Sequence, residues 1–257
     1  MDSELVLSWP LWAAAGAVFL AAGFTQGALG FGFPTISTPV LVLLTDVKTA
    51  IILNLLPNFT VNTISIVRGG NWGASLGRYW PVAVYVLIGS FLGAMFLIMA
   101  PPAPLRLLLA LIIIAYLYQH RLAKLDWSWL ARRPYISALG FGLTGGFFSG
   151  SLNQSLPPLL IYFTLLGLEI TAMTQILNLC FLGGKAVQAA TLGLAGQIAL
   201  SAVLANIPMT LIALAGMYLG THAQRRFSVE TYNRVLRRIL FAIALVLIWQ
   251  ASASVLR

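Results

Sequence analysis

The chain has 257 residues, of which 60 % are hydrophobic and 8 % charged, with a formal net charge of +9. A mean hydropathy of +0.92 lies far outside the range of soluble globular domains, so the bilayer is the solvent to reason with. The positive charge does not point to nucleic acid, because Lys and Arg are spread over short connections between apolar segments, where cytoplasmic orientation accounts for them.

The opening MDSELVLSWP is acidic where a secretory signal needs a positive region, so the first apolar segment is expected to stay in place. Apolar stretches follow at 11–30, 49–67, 79–100, 104–119, 170–190, 198–219 and 232–250, most of them near the ~20 residues of a spanning helix. Pieces at 35–45, 135–149 and 155–166 are too short to span comfortably. They are predicted as broken or re-entrant helices, which survive at membrane depth only under a cover of protein or a water-filled cavity. Cys180 is the single cysteine, which excludes an internal disulfide; it reads as a small packing residue. The fold class expected is an all-α polytopic membrane protein.

The chain repeats itself. GFTQGALGFGFPTISTPVLVLLTD from Gly23 returns as GLTGGFFSGSLNQSLPPLLIYFTL from Gly142, with Gly27/Gly146, Pro39/Pro158 and Thr45/Thr164 in one register. Later, Pro81, Gly89 and Gly93 recur as Pro208, Gly216 and Gly220. Two ordered blocks imply duplication, with a first repeat over 1–120, a basic cytoplasmic linker over 121–134 and a second repeat over 135–257. Each repeat reads as a broken or re-entrant helix pair followed by three longer helices.

Charge reverses between equivalent loops. Arg68 and Arg78 lie between the third and fourth helices of the first repeat, whereas the counterpart at 191–197 has no charge. Conversely, 99–104 is uncharged while its counterpart region carries Arg225, Arg226, Arg234, Arg237 and Arg238. Placing the linker in the cytoplasm puts eleven Lys/Arg inside and three outside, with Lys185 in the membrane. This predicts an inverted repeat in the inner membrane, ten helical elements, and both termini outside.

Inverted repeats place a site where discontinuous helices meet near the midplane. The candidate residues at the first junction are Gly30, Gly32, Pro34, Thr35, Ser37 and Thr38; at the second they are Ser149, Gly150, Ser151, Asn153, Gln154 and Ser155. Glycine permits close approach, proline suits the first turn of a new helix, and the free N–H groups at such a start suit an anion. On that reading, Val at Gly32 or Gly150 is expected to abolish transport with the fold intact. The same glycines also fit plain helix packing, as Gly23-x3-Gly27, Gly89-x3-Gly93, Gly142-x3-Gly146 and Gly216-x3-Gly220.

Asn54, Asn58 and Asn62 recur every fourth residue and share a helix face; Gln175, Asn178 and Lys185 form a comparable stripe. Lys185 is a charge well inside an apolar segment, read either as the counter-charge for an anionic substrate or as an anchor snorkelling to the interface.

The duplicated Gly-rich-then-Pro motif and the Pro-Pro of SLNQSLPPLLIYFTLLGLE resemble the TauE/SafE family of sulfite and organosulfonate exporters. The resemblance covers nearly the whole chain, with the family's Gly-rich stretches falling on Gly27, Gly30, Gly32 and Pro39 and on Gly145, Gly146, Gly150, Pro157 and Pro158. Asn153, Gln154, Ser155 and Leu156 stand where the family usually has glycines, and Pro34 replaces a commoner small residue.

The resemblance implies transport of a small sulfur-containing anion. Export is the direction physics favours, since an inside-negative potential drives an anion outward by ~2.3 kcal/mol per charge per 100 mV. All six Asp and Glu fall at segment ends or in loops, leaving no carboxylate for a proton relay, and His120 and His222 lie near the inner boundary. A passive small-anion channel, or a transporter of a different small organic anion, remains the alternative. An enzyme is not expected, because no histidine stands at membrane depth beside SGSLN and no HExxH-type metal motif occurs. No cofactor or metal is expected. The partners expected are a small anion and the lipid bilayer, with no nucleic acid, and the reading leaves room for a homodimer.

Overall fold

The computed structural model describes residues 9–69, 72–122, 133–223 and 229–255. Among the described residues every regular element is a helix, as expected where no water satisfies backbone N–H and C=O groups. The first half supplies α1 (Trp9–Leu29), α2 (Phe33–Leu44), α3 (Val47–Gly69), α4 (Trp72–Met99), α5 (Pro102–Leu117) and a single turn, α6 (Gln119–Leu122). The second half supplies α7 (Pro134–Leu152), α8 (Leu156–Leu165), α9 (Ile170–Leu194), α10 (Leu200–Ala205), α11 (Ile207–Ala223) and α12 (Val229–Val255). Five stretches, 9–29, 47–69, 79–99, 170–194 and 202–223, are long and apolar enough to cross a membrane. Leu87, Phe91, Leu111, Leu211 and Leu245 point outward, the pattern of a surface facing lipid.

Two expectations change. The piece at 135–149 is part of α7, whose 19 residues reach about 28 Å, so it is long enough to span. Its glycines stay helical because a neighbouring helix packs directly on them. The stretch at 198–219 is split at Asn206. Pro208 has no N–H to continue the ladder, and Asn206 N–H reaches back only three residues, to Val203 O at 3.1 Å. Lys124, Asp126 and Arg132 of the linker, Arg225, Arg226, and the terminal Asp2, Glu4 and Arg257 lie outside the described residues.

The two halves pack through each other. Helix α1 lies on α11, and α4 lies on α7, each pair meeting through facing glycines. A Cβ on Gly23 or Gly27 would fall on the carbonyl of Ala213 or Met217; one on Gly216 or Gly220 would fall on Leu20 or Phe24. Gly89 and Gly93 face the carbonyls of Leu143 and Phe147, while Gly146 and Gly150 face those of Val86 and Ser90. This is small-residue packing of the kind that lets membrane helices touch backbone to backbone. Helices α3 and α9 cross between these pairs, and α5 packs on α12 at the periphery.

Candidate functional site

The α1–α2 and α7–α8 junctions are both breaks, achieved by different residues. In the first, Gly30 and Gly32 take φ of 83° and 106°, and Pro34 opens α2. In the second, Asn153 takes φ 58°, a left-handed conformation that Asn tolerates better than most side chains. Asn153 thus does the conformational work of a glycine. Pro157 and Pro158 then start α8.

The breaks expose fewer backbone donors than their Gly-Pro sequences suggest. Phe33 N–H donates to Gln26 Oε1 at 3.1 Å, Pro34 has no N–H, and Thr35 N–H donates to Gly32 O at 3.1 Å. In α8, two of the first three residues are prolines. Side chains therefore supply much of the polar character of the two breaks.

All the sequence-predicted site residues are buried except Gly30 and Gln175, which are half-buried. They separate into two clusters. At the first break, the buried Gln26 carboxamide donates to Asn178 Oδ1 (2.9 Å) and Ser65 Oγ (2.9 Å), and lies 3.5 Å from Asn62 Oδ1. Asn178 Nδ2 donates to Gly30 O at 2.8 Å. Asn62 Nδ2 donates to Asn58 Oδ1 at 2.6 Å, and Asn54 lies a turn further along the same face, its Nδ2 donating to Ala50 O at 2.8 Å. Gln26 and Ser65 were not singled out by sequence; a glutamine beside glycines carries no periodic signal.

At the second break, Lys185 is 2 % exposed and does not snorkel. Its Nζ donates to Asn153 Oδ1 and, at 2.6 Å, to Gln188 Oε1. The Gln188 amide donates in turn to Gly150 O (2.7 Å) and Ser149 O (3.4 Å), carbonyls at the end of α7. The Lys185 amine is therefore held beside the negative end of a helix dipole by two neutral oxygens, with no carboxylate partner among the described residues. Gln188, three residues after Lys185, was not singled out by sequence either. Asn178 and Gln175, expected on the same stripe as Lys185, go elsewhere: Gln175 Nε2 donates to Gly69 O.

A hydrogen bond joins the two breaks: Gln154 Nε2 donates to Pro34 O at 2.7 Å. Around it, Ser37 and Ser151 hydroxyls turn back to their own helices, donating to Phe33 O (3.0 Å) and Phe147 O (2.6 Å). Ser155 is buried at the start of α8. Among the described residues, the buried atoms Thr35 Oγ1, Thr38 Oγ1, Asn54 Oδ1 and Asn153 Nδ2 have no hydrogen-bond partner. Such atoms are rare in folded proteins; these four lie on residues of the two breaks and the asparagine face, while Arg106 Nε, Gln119 Oε1 and Asn206 Oδ1 are unpartnered elsewhere in the fold. Gly150 has a packing role, since a valine there would strike Ser90 O and push α4 away. Valine at Gly32 would be strained by the positive φ.

A cavity of about 510 Å³ between α1, α2, α11 and α12 is walled by side chains such as Leu20, Phe24, Ile36 and Leu240 and offers an anion nothing. A second cavity, of about 280 Å³, runs from Arg68 to Gln26 and Gly30 beside the first cluster. Asp46 and Glu169, the carboxylates whose side chains are described, lie at the starts of α3 and α9; Asp46 Oδ1 accepts from Lys48 N–H (2.9 Å) and Thr49 N–H (3.2 Å).

No match was found among curated proteins or among solved structures. The model of the family described as Sulfite exporter TauE/SafE matches residues 15–248, which takes in both breaks and every polar side chain of the two clusters. With a match of that extent, and with its apolar helices, the chain belongs to the TauE/SafE sulfite exporter family and is an integral, multi-pass membrane protein.

Proposed function

We propose that the chain exports a small sulfur-containing anion, such as sulfite or an organosulfonate, along a route between its two helix breaks. The observation that carries this reading is the coincidence of the family match with a carboxylate-free polar interior holding Lys185 among the described residues. The unpartnered oxygens and amide of Thr35, Thr38, Asn54 and Asn153 are polar surface that a hydrated anion can use as it passes. The reciprocal packing of α1 on α11 and α4 on α7 supports an inverted repeat, with the Arg68 side in the cytoplasm and both termini outside. Lys185 serves as the fixed positive charge of the route. It is held by neutral groups, so an arriving anion has no internal carboxylate to displace.

The test is flux. Proteoliposomes containing the purified chain and labelled sulfite should show saturable efflux that quickens with an inside-negative potential, and counterflow against unlabelled sulfite. Efflux of sulfite and of sulfonates no faster than from empty vesicles would overturn the reading. Flux without counterflow would make the protein a channel.

A further inference from the structure

The cavity of about 280 Å³ is bounded by Gln26, Gly30, Ser65, Arg68, Thr174 and Thr221, so its walls come from α1, α3, α9 and α11. It has room for a small oxyanion with several waters, each about 30 Å³ in the liquid. Its polar groups are not equivalent. The Ser65 hydroxyl donates to Val61 O (2.9 Å) and the Thr221 hydroxyl to Met217 O (2.7 Å), so both are committed as donors to their own helices. They offer lone pairs to the cavity, and those accept from Gln26 (2.9 Å) and from Arg68 Nη1 (3.0 Å). Arg68 is exposed and carries five N–H donors in a fixed fork, while Thr221 takes one nitrogen of it. No Asp or Glu lines this cavity among the described residues. The lining therefore has one formal charge, positive, at its mouth, and a neutral floor made by the Gln26 carboxamide. Beyond that floor lie Asn62, Asn58 and Asn54.

We infer that this cavity is the docking subsite for the transported oxyanion, with the Arg68 guanidinium as its capturing group. The proposal rests on the anion-transport reading above and names the residue that makes first contact. Thr221 holds one edge of the guanidinium, which leaves the fork facing a ligand with two oxygens to offer, the geometry at which Arg exceeds Lys. The Gln26 amide, tied at once to α1, α3, α9 and the N–H that starts α2, is the barrier the anion meets next.

Calorimetric titration of sulfite into the full chain in detergent, repeated with methanesulfonate, tests this. Arg68→Gln should weaken sulfite binding ~10-fold, equivalent to about 1.4 kcal/mol. Arg68→Lys should recover part of the loss, and Arg234→Gln, with the same change of net charge on the exposed surface of α12, should bind as the parent. Thermal unfolding of all three variants should match the parent. Parental affinity in Arg68→Gln, with transport intact, overturns the subsite and leaves the transport reading standing. Equal weakening in Arg68→Gln and Arg234→Gln also overturns it, because the effect would then be general surface charge. A parent that neither binds nor transports any sulfur oxyanion removes the transport reading and this subsite together.

Discussion

Lys185 is a lysine seated inside an apolar helix with no carboxylate partner among the described residues. Its two oxygen partners are neutral, and the compensation is completed by the end of α7 through Gln188. The consequence for mutation is asymmetric. Gln188→Leu leaves the Lys185 Nζ with one partner and frees the Gly150 carbonyl, so it should cost ~2 to 3 kcal/mol, the scale of losing a buried hydrogen bond to a charged group. Lys185→Met removes the charge itself and should cost less, with thermal unfolding in detergent ranking the two. In transport, Lys185→Gln should weaken anion flux strongly, and Lys185→Arg should keep part of it. Lys185 and the asparagine face were readable in the sequence because a polar residue in an apolar helix stands out against its background. Gln26 and Gln188 were not, because their importance comes from carbonyls that tertiary packing brings to them.

The same glycines serve two purposes that a sequence does not separate. Gly30 and Gly32 turn the chain, whereas Gly146 and Gly150 let α7 lie against α4. Gly146→Val and Gly150→Val should therefore lose folded protein, measured as monodisperse yield in detergent, before any effect on transport can be read. Gly140→Ala is the matched contrast: the same helix, an exposed position and nothing within 4 Å of the new methyl. It should be neutral or raise stability by ~0.5 to 1 kcal/mol through helix propensity alone. The breaks themselves were legible as Gly-then-Pro punctuation. The length of α7 was not, since a run of glycine and serine reads as interruption until the helix packed on it is known.

Architecture has its own test. With single cysteines introduced on the Cys180→Ser background, sites at 99–104 and in the basic linker should label from opposite faces of the membrane. Labelling from one face would end the inverted reading. The recurring Gly and Pro spacing was visible because spacing survives when identity fades, and the reversal of charge between loops is a matter of composition; which helix packs on which was hidden, because facing glycines carry no address. That pairing has a consequence in time. The glycine face of α1 has its partner in α11, roughly 190 residues later, and at ~5 to 20 residues per second the ribosome takes about 10 to 40 s to deliver it. Through that interval α1 must wait among lipids, unpaired on the face it will finally bury. A helix made early is thus among the last to find its seat, and its assembly is sensitive to whatever slows synthesis of the second half.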